Sequence, residues 1–530
     1  MNHTVIASLK ARIHAPCSFP PRNEETAGER RQHAAALLNP RPASSRGEGH
    51  GRAAYDDNWL AIILALALLA ILFSGCAVGP NYLRPTVASQ AGWKEGATAT
   101  NAPVLPPEWW KIFNDAELTS LETQAVAANQ DLKRAVSNVT EARAVARVSK
   151  SELYPNITAG ASYSRNRLSE NSATASPQNL DFDSFSGSFD LSYELDVWGR
   201  VRRSVEAANA DVSAAVADLQ VVLLALTADV ARNYQLLRAL DNEKLVIEAT
   251  IALRKDAVQL QETRNQAGLI NEVDVTRART ELANVEAELH AILRDRAQVE
   301  HALAVLCGQP PASFSVTAKA TSIVPPEIPA GLPSELLQRR PDVVEAEHSL
   351  EAANARIGVA KAAFFPTIKL TGAAGYASAD LGALADWPSR FAQFGPSISV
   401  PVFQGGRNRA NLKAAEARHE QNIASYRGTV LKAFREVEDA LSDLSTLSAQ
   451  SAAVNRGLLS ARNTAALANE RYQQGLSSYL DVVDAQRTSL QAERQETRLR
   501  GQRAVSTILL AKALGGGWER GTASSNGSGN

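Results

Sequence analysis

The 530-residue chain is long enough to bury several cores, and its charge is nearly balanced, with 55 Lys and Arg against 56 Asp and Glu. This balance gives no electrostatic basis for a nucleic-acid-binding protein. Its eight His are scattered, and no nucleophile–base pair or Gly-rich phosphate loop stands out, so the sequence indicates neither an enzyme nor a metal or cofactor site. The composition, with 6% aromatic residues and abundant Ala, Gln, Glu, Arg, Leu and Val, is typical of long, closely packed helices.

The N-terminal part of the chain predicts processing. Residues 1–58 show little periodicity, and we expect them to be a disordered extension or the result of a mis-assigned start. The apolar run "WLAIILALALLAILF" that follows is short for a membrane-spanning helix and has the length of a signal-peptide core. Residues 59–75 therefore read as a signal peptide that ends in a lipobox-like "SGC", and we expect Cys76 to be the lipidated first residue of the mature protein. The alternative is an ordinary signal peptide followed by a stray cysteine.

Two segments of the chain repeat one plan. The pair Gly199-Arg200 recurs as Gly406-Arg407, and the turn glycine Gly268 recurs as Gly475, both at an offset of 207 residues. Two landmarks at one offset indicate a duplication. We assign residues 76–306 to the first repeat, 307–335 to an equatorial linker, 336–516 to the second repeat and 517–530 to a disordered tail.

Each repeat is predicted to contain two β-strands. In "FSGSFDLSYELD", residues 185–196, apolar or small residues alternate with polar ones, which is the pattern of a strand with one apolar and one polar face. Similar segments lie at 157–165, 367–377 and 392–402. Their lengths of about 9–12 residues suit a tilted transmembrane strand. On the polar face we expect Asp190, Glu194 and Lys369 to line a barrel lumen, or alternatively to serve a structural role.

Long helices follow the strands. No Pro or Gly interrupts residues 201–262, and apolar residues recur there at near-heptad spacing; a return helix is expected over about 273–306. Such helices pack as coiled coils, and a single pair has no globular core of its own. We therefore expect these helices to pack against sister helices.

Four strands with one apolar face cannot close a barrel, and open strand edges are not tolerated in a bilayer. Closure requires other chains, and three chains would supply twelve strands around a polar lumen. The predicted fold class is thus a mixed α+β membrane protein, a homotrimeric twelve-stranded β-barrel continued by a long α-helical coiled-coil barrel. A soluble sheet on a helical body is the alternative, which these Ser- and Gly-rich strands disfavour.

Three further segments resemble the TolC-like outer-membrane efflux factors, in particular their lipoprotein branch. They are "CAVGPNYLRP" (76–85), "PPEWWKIFNDAELTSLETQAVAANQDLKRA" (106–135) and "LLQRRPDVVEAEHSLEAANARIGVAKAAFFP" (336–366). The resemblance implies a homotrimeric exit duct, lipid-anchored in the outer membrane, with its helical barrel in the periplasm. It also implies a periplasmic membrane-fusion adaptor and an inner-membrane resistance-nodulation-division pump as partners.

The resemblance further implies a gate at the tips of the two helical hairpins, where Gly268 and Gly475 suit the left-handed position at a helix end. In the family, acidic residues at the places of Asp481 and Asp484 surround the constricted entrance. The first repeat has Asp274 and Arg277 at the corresponding places, which suggests an Asp–Arg latch across the tip, within one chain or between chains. An ordinary solvated helix face is the alternative for these charges.

Two other functions are consistent with the same sequence. The duct could serve a type I protein-secretion system, or the chain could be a coiled-coil structural lipoprotein with no pore. The lipobox-like segment favours the efflux branch over the first, and the paired transmembrane strands argue against the second.

Overall fold

The structure is a computed structural model that describes residues 77–87, 92–95, 105–171, 180–331 and 339–518. The predicted extension, the signal peptide and the lipidated Cys76 lie outside the described residues. So does the predicted tail, apart from residues 517 and 518.

The described helices and strands follow the order expected for two repeats. The first repeat contains α1 (Ala116–Ala128), α2 (Gln130–Ser151), β1 (Asn156–Arg167), β2 (Asp181–Leu195), α3 (Arg200–Gln266) and α4 (Glu272–Leu306). The second contains α5 (Pro341–Ala362), β3 (Thr367–Ser378), β4 (Arg390–Ser399), α6 (Arg407–Gln473) and α7 (Tyr479–Ala513).

The offset of 207 residues extends to whole elements. Helices α3 and α6 each have 67 residues, and α4 and α7 each have 35. Both ends of each pair differ by 207 positions, for example from Arg200 to Arg407 and from Leu306 to Ala513. At 1.5 Å per residue, α3 and α6 are each about 100 Å long.

The four strands form one antiparallel sheet in the order β1-β2-β3-β4, so that β1 and β4 are its edges. Helices α2, α3, α5 and α6 all join the strands at the same end of this sheet, and the β1–β2 and β3–β4 loops lie at the other end. The chain therefore has a sheet at one end and a helical body at the other.

One predicted strand end is wrong. The sequence pattern placed Val400 and Val402 in the last strand, but β4 ends at Ser399, and Val402 is 92% exposed. Pro401 cannot donate a ladder hydrogen bond, and β3 begins only at Thr367, the partner of Ser399. The alternation of valines alone thus overestimated the length of the strand.

The core lies between the helices. The predicted apolar stripe on α3 is confirmed in its centre, where Leu219, Val230, Tyr234 and Leu237 are fully buried. Helix α3 packs against α2, α4, α5 and α7, and α6 packs against α5 and α7. On α6, the buried residues Tyr426, Val430, Phe434 and Val437 recur at helical spacing and join a cluster with Leu510 of α7.

Candidate functional site

The side chains of the sheet separate by chemistry onto two faces. Residues paired across antiparallel strands point to the same face, and Glu194 lies opposite Lys369, while Asp190 lies opposite Thr158. The polar face also carries Ser162, Ser164, Ser186, Ser188, Ser192, Thr371, Gln393 and Ser397. The opposite face carries Ile157, Tyr163, Phe185, Phe189, Leu191, Tyr193, Ile368, Leu370, Tyr376, Phe394 and Ile398.

Within a single chain the apolar face is uncovered. The exposed fractions are 64% for Ile157, 66% for Phe189, 74% for Phe394 and 65% for Ile398. Large contiguous apolar surfaces are rare on soluble monomers and indicate contact with lipid or with another protein. The sheet therefore requires an apolar environment on this side.

The three charged residues predicted for the lumen share the polar face but differ in their contacts. Glu194 accepts a hydrogen bond from Arg200 Nε at 2.7 Å, and Arg200 also contacts Glu152 at 3.1 Å. Asp190 accepts a hydrogen bond from the Ser188 hydroxyl at 3.0 Å. Glu194 is thus fixed to the start of α3, while Asp190 and Lys369 are exposed on the open face.

The two helical hairpins turn through glycines. Gly268, between α3 and α4, has φ of 71°, and Gly475, between α6 and α7, has φ of 74°. Both values lie in the left-handed region that L-residues with a side chain avoid. The adjacent Leu269 and Leu476 are 73% and 64% exposed, so each hairpin presents an apolar residue at its tip.

Asp481 and Asp484 occupy the first turns of α7 and have different contacts. Asp481 accepts hydrogen bonds from the backbone N–H and the hydroxyl of Ser478, both at 3.0 Å, and so forms a capping box. The Asp484 side chain is 63% exposed, and its carboxylate lies 4.0 Å from Arg487. One aspartate therefore stabilises the helix start, while the other presents its charge to solvent.

The charged pair of the first hairpin is local. Asp274 and Arg277 form an ion pair at 3.3 Å within the first turns of α4. Among the described residues, the ion pair of Arg277 thus lies along its own helix rather than across the tips, and a latch across the tips stays a prediction. The three-residue spacing brings these side chains together on one helix face, which explains the local pairing.

Several ion pairs join the two hairpins, and none of them was predicted. Arg487 of α7 forms a two-point ion pair with Glu281 of α4, whose side chain is only 4% exposed. Arg254 of α3 lies 3.9 Å from the same carboxylate and donates a hydrogen bond to Gln486 at 2.7 Å. This cluster, in which Glu281 and Arg254 are buried and Arg487 is half exposed, links three helices behind the tips.

A second cluster, centred on one buried carboxylate, lies farther from the tips. Glu243 of α3, whose side chain is 3% exposed, contacts Arg494 at 2.8 Å and Arg498 at 2.6 Å, both on α7. Arg494 also pairs with Glu288 of α4 at 2.7 Å. Helix α7 of the second repeat is thus attached by ion pairs to both helices of the first hairpin.

The N-terminal segment begins at the junction of sheet and helices. Val78 N–H donates a hydrogen bond to Trp198 carbonyl at 3.0 Å, between β2 and α3. Gly199 approaches Ala77 so closely that a Cβ there would lie 2.8 Å from the Ala77 Cα. Farther along, Asn354 of α5 donates to Pro80 carbonyl at 3.0 Å. The segment therefore fixes the residue that follows Cys76 next to the end of a strand.

Comparison with known proteins gives a consistent result. A model of the outer membrane efflux protein family matches residues 121–309 and 332–516, which include most of both repeats.

Individual relatives match over nearly their whole length. The toluene efflux pump outer membrane protein TtgI of Pseudomonas putida is 35% identical, covering 86% of this chain and 98% of TtgI. The cation efflux system protein CusC of Escherichia coli is 33% identical, covering 85% of this chain and 98% of CusC. The crystal structure of the Campylobacter jejuni CmeC outer membrane channel superposes with a TM-score of 0.80 at 26% identity, covering 84% of this chain and 96% of CmeC.

Proposed function

The chain belongs to the outer membrane efflux protein family, and from that premise we propose that three copies assemble into the exit duct of a tripartite efflux system. The protein is an outer-membrane efflux channel. Its role is transport through a pore rather than catalysis.

The observation that carries the trimer is the open, two-faced sheet. Both edges, β1 and β4, have unpaired backbone groups on one side, and one face is apolar and uncovered. In a bilayer both conditions are costly, because no water is available to satisfy the edge groups. Three copies joined edge to edge would give a closed barrel of twelve strands, with the apolar face toward lipid and Asp190, Glu194 and Lys369 toward the lumen.

The trimer can be tested by measuring the mass of the purified protein. In mild detergent or nanodiscs, native mass spectrometry should give three chains per particle, and planar-bilayer recordings should show a conducting pore. A monodisperse monomer without conductance would instead support the structural-lipoprotein alternative.

The helical body provides the periplasmic half of the duct. All helices adjoining the strands leave the sheet at one end, so in a membrane the helices would extend to one side for about 100 Å. Two hairpins per chain would place six tips at the far end of a trimer. We assign these tips to the contact with a periplasmic adaptor and an inner-membrane pump of the resistance-nodulation-division class.

A deletion strain distinguishes efflux from protein secretion. Loss of the gene should increase susceptibility to small toxic compounds and leave protein export unchanged. The reverse result would indicate a duct of a type I secretion system. The relatives differ in their named cargo, toluene for TtgI and cations for CusC, so we expect the pump rather than this chain to select the compound.

The position of Ala77 supports lipidation of Cys76. Ala77 lies beside Gly199, where β2 passes into α3, and this is the level at which a barrel would leave the inner leaflet. Acyl chains on the preceding residue would enter that leaflet without displacing the N-terminal segment. Mass spectrometry of the mature N-terminus should show a triacylated or diacylated Cys76, and an unmodified or different first residue would contradict the anchor.

A further inference from the structure

Three arginines lie on the apolar face of the sheet, at its loop end. Arg165 and Arg167 follow Tyr163 at two-residue steps along β1, and Arg390 lies opposite Tyr376 at the start of β4. Residues two apart in a strand point to the same side. These guanidinium groups therefore project from the same face as the apolar band, beyond its aromatic end.

The arginines of β1 are weakly neutralised. No carboxylate within the described ranges lies within 4.0 Å of Arg165, although Asp183 is its register partner. The Asp183 carboxylate instead accepts the Tyr163 hydroxyl at 3.0 Å. Arg167 contacts Asp181 at 3.5 Å, but the side chains are 69% and 51% exposed, and such a pair contributes little.

Arg390 is held by an aromatic ring. Its guanidinium carbon lies 3.2 Å from the centroid of the Trp387 ring, and Trp387 is itself 70% exposed. A stacked arginine keeps its N–H groups free for an anion at the edge of the guanidinium plane. An exposed tryptophan next to a cation is suited to the boundary between acyl chains and headgroups.

Edge strands bring these groups together when the barrel closes. Strand β1 runs toward the loop end and β4 runs away from it, so β4 of one protomer and β1 of the next are antiparallel neighbours about 5 Å apart. We propose that each of the three seams binds the phosphorylated headgroup of an outer-leaflet glycolipid, through Arg390 of one protomer and Arg165 and Arg167 of the partner subunit. This inference rests on the trimer proposed above.

The apolar surface next to the arginines indicates which class of ligand binds there. Guanidinium groups bind phosphate oxygens through paired N–H donors. Tyr163 on β1 and Phe394 on β4 lie on the same strands as the arginines, and Phe189 lies on the adjacent β2; they are 60%, 74% and 66% exposed and would contact acyl chains. A free phosphate would contact only the arginines, whereas a phosphorylated glycolipid contacts both the arginines and the apolar band.

The test uses the mature protein, purified from membranes in mild detergent, with diphosphoryl lipid A as the probe. Native mass spectrometry should show up to three added lipids per trimer. The triple variant Arg165→Gln/Arg167→Gln/Arg390→Gln should bind at least tenfold more weakly. The control variant Arg435→Gln, which removes an exposed arginine of α6, should bind as the wild type does. Millimolar inorganic phosphate should leave the lipid bound.

The outcomes separate the two proposals. A trimer whose triple variant retains lipid A like the wild type overturns the seam site alone, whereas a monomeric particle overturns the proposed assembly as well. Displacement by inorganic phosphate would overturn a lipid occupant. Because the triple variant could fail to assemble, wild-type protein is also compared with dephosphorylated lipid A, which should bind at least tenfold more weakly; equal binding again overturns the site.

Discussion

Asp481 and Asp484 are neighbours on α7, but their contacts assign them different roles. Asp481 closes the capping box with Ser478, and Asp484 directs an exposed carboxylate outward. In a trimer, three exposed carboxylates near one axis would repel one another and attract cations. The gate hypothesis therefore rests mainly on Asp484, while replacement of Asp481 has a structural cost of its own.

We predict that Asp484→Ala raises single-channel conductance in planar bilayers and leaves hydrogen exchange at the start of α7 unchanged. Asp481→Ala should also raise conductance, but with a loss of about 1 kcal/mol at the helix start, because the cap is removed. The double variant should conduct most.

Ser478→Ala is the matched control, because it weakens the cap and keeps both charges. It should accelerate exchange without raising conductance. If Ser478→Ala opens the channel as much as Asp484→Ala, fraying of the helix rather than charge controls the tip.

Glu122 on α1 is a buried acid that forms no ion pair with the described residues. It is 0% exposed, and neither carboxyl oxygen has a hydrogen-bond partner in the described part of the chain. Burial raises the pKa of Glu122 well above its ordinary value of 4.5, because the charged form is poorly solvated there. The folded protein therefore retains a proton that the unfolded chain loses, and Glu122 should reduce stability as pH rises above about 4.5.

We predict that Glu122→Gln raises the unfolding temperature of the protein at neutral pH. Glutamine has nearly the same shape and never ionises, so the difference from wild type should vanish near pH 4 and grow toward pH 8. Thermal scans in detergent across this range provide the measurement. A difference that is constant with pH would show that packing, not ionisation, distinguishes the two side chains.

At the scale of elements, the helices and their turns could be predicted because their signals are local. The uninterrupted run after Gly199 and each of the two turn glycines lie within a short window of sequence, and the repeat is visible because similar short segments recur at an offset of 207 residues. The ion pairs between the hairpins could not be predicted, because Glu281 and Arg487 are 206 positions apart, as are Glu288 and Arg494. That separation is one less than the repeat offset, so the two ion pairs connect nearly equivalent positions of α4 and α7, an arrangement that only the folded chain reveals.

We predict that alanine has opposite effects on stability at two glycines, one in a hairpin turn and one within a helix. Gly475 has φ of 74°, and a Cβ there would meet no atom within 4 Å, so Gly475→Ala is penalised by backbone conformation alone. We expect a loss of about 1 kcal/mol at the turn. Gly428, within α6 and also with open space around it, is the control, and Gly428→Ala should stabilise the helix by about 0.5–1 kcal/mol.

Hydrogen-exchange mass spectrometry of the purified protein measures both variants. Peptides that cover the turn should exchange several-fold faster in Gly475→Ala, and peptides around residue 428 should exchange more slowly in Gly428→Ala. Unchanged exchange at the turn would contradict the requirement for a left-handed residue there.

At the scale of the whole molecule, the proposed function depends on the sheet, which in a single chain has two unpaired edges and one uncovered apolar face. Sequence alternation predicted the two faces of the strands, although not the end of β4, since Val402 lacks a partner strand. The alternation of apolar and polar residues does not by itself show whether lipid or water contacts each face of the sheet. From the family match and the uncovered apolar side chains we propose that lipid contacts one face and that the other face lines a polar lumen.

Adjacent residues on opposite faces test this assignment directly. Phe189 lies on the apolar face near the middle of β2 and is 66% exposed, while Ser188 lies on the polar face. A lipid-facing arginine near the bilayer centre costs about 2–4 kcal/mol per chain, and the trimer would contain three. We predict that Phe189→Arg prevents the trimer from accumulating in the outer membrane, as measured by membrane fractionation and trimer mass. Ser188→Arg should assemble and shift the ion preference of the pore toward anions. If Phe189→Arg assembles as well as Ser188→Arg, the apolar face does not contact lipid, and the strands form a soluble sheet.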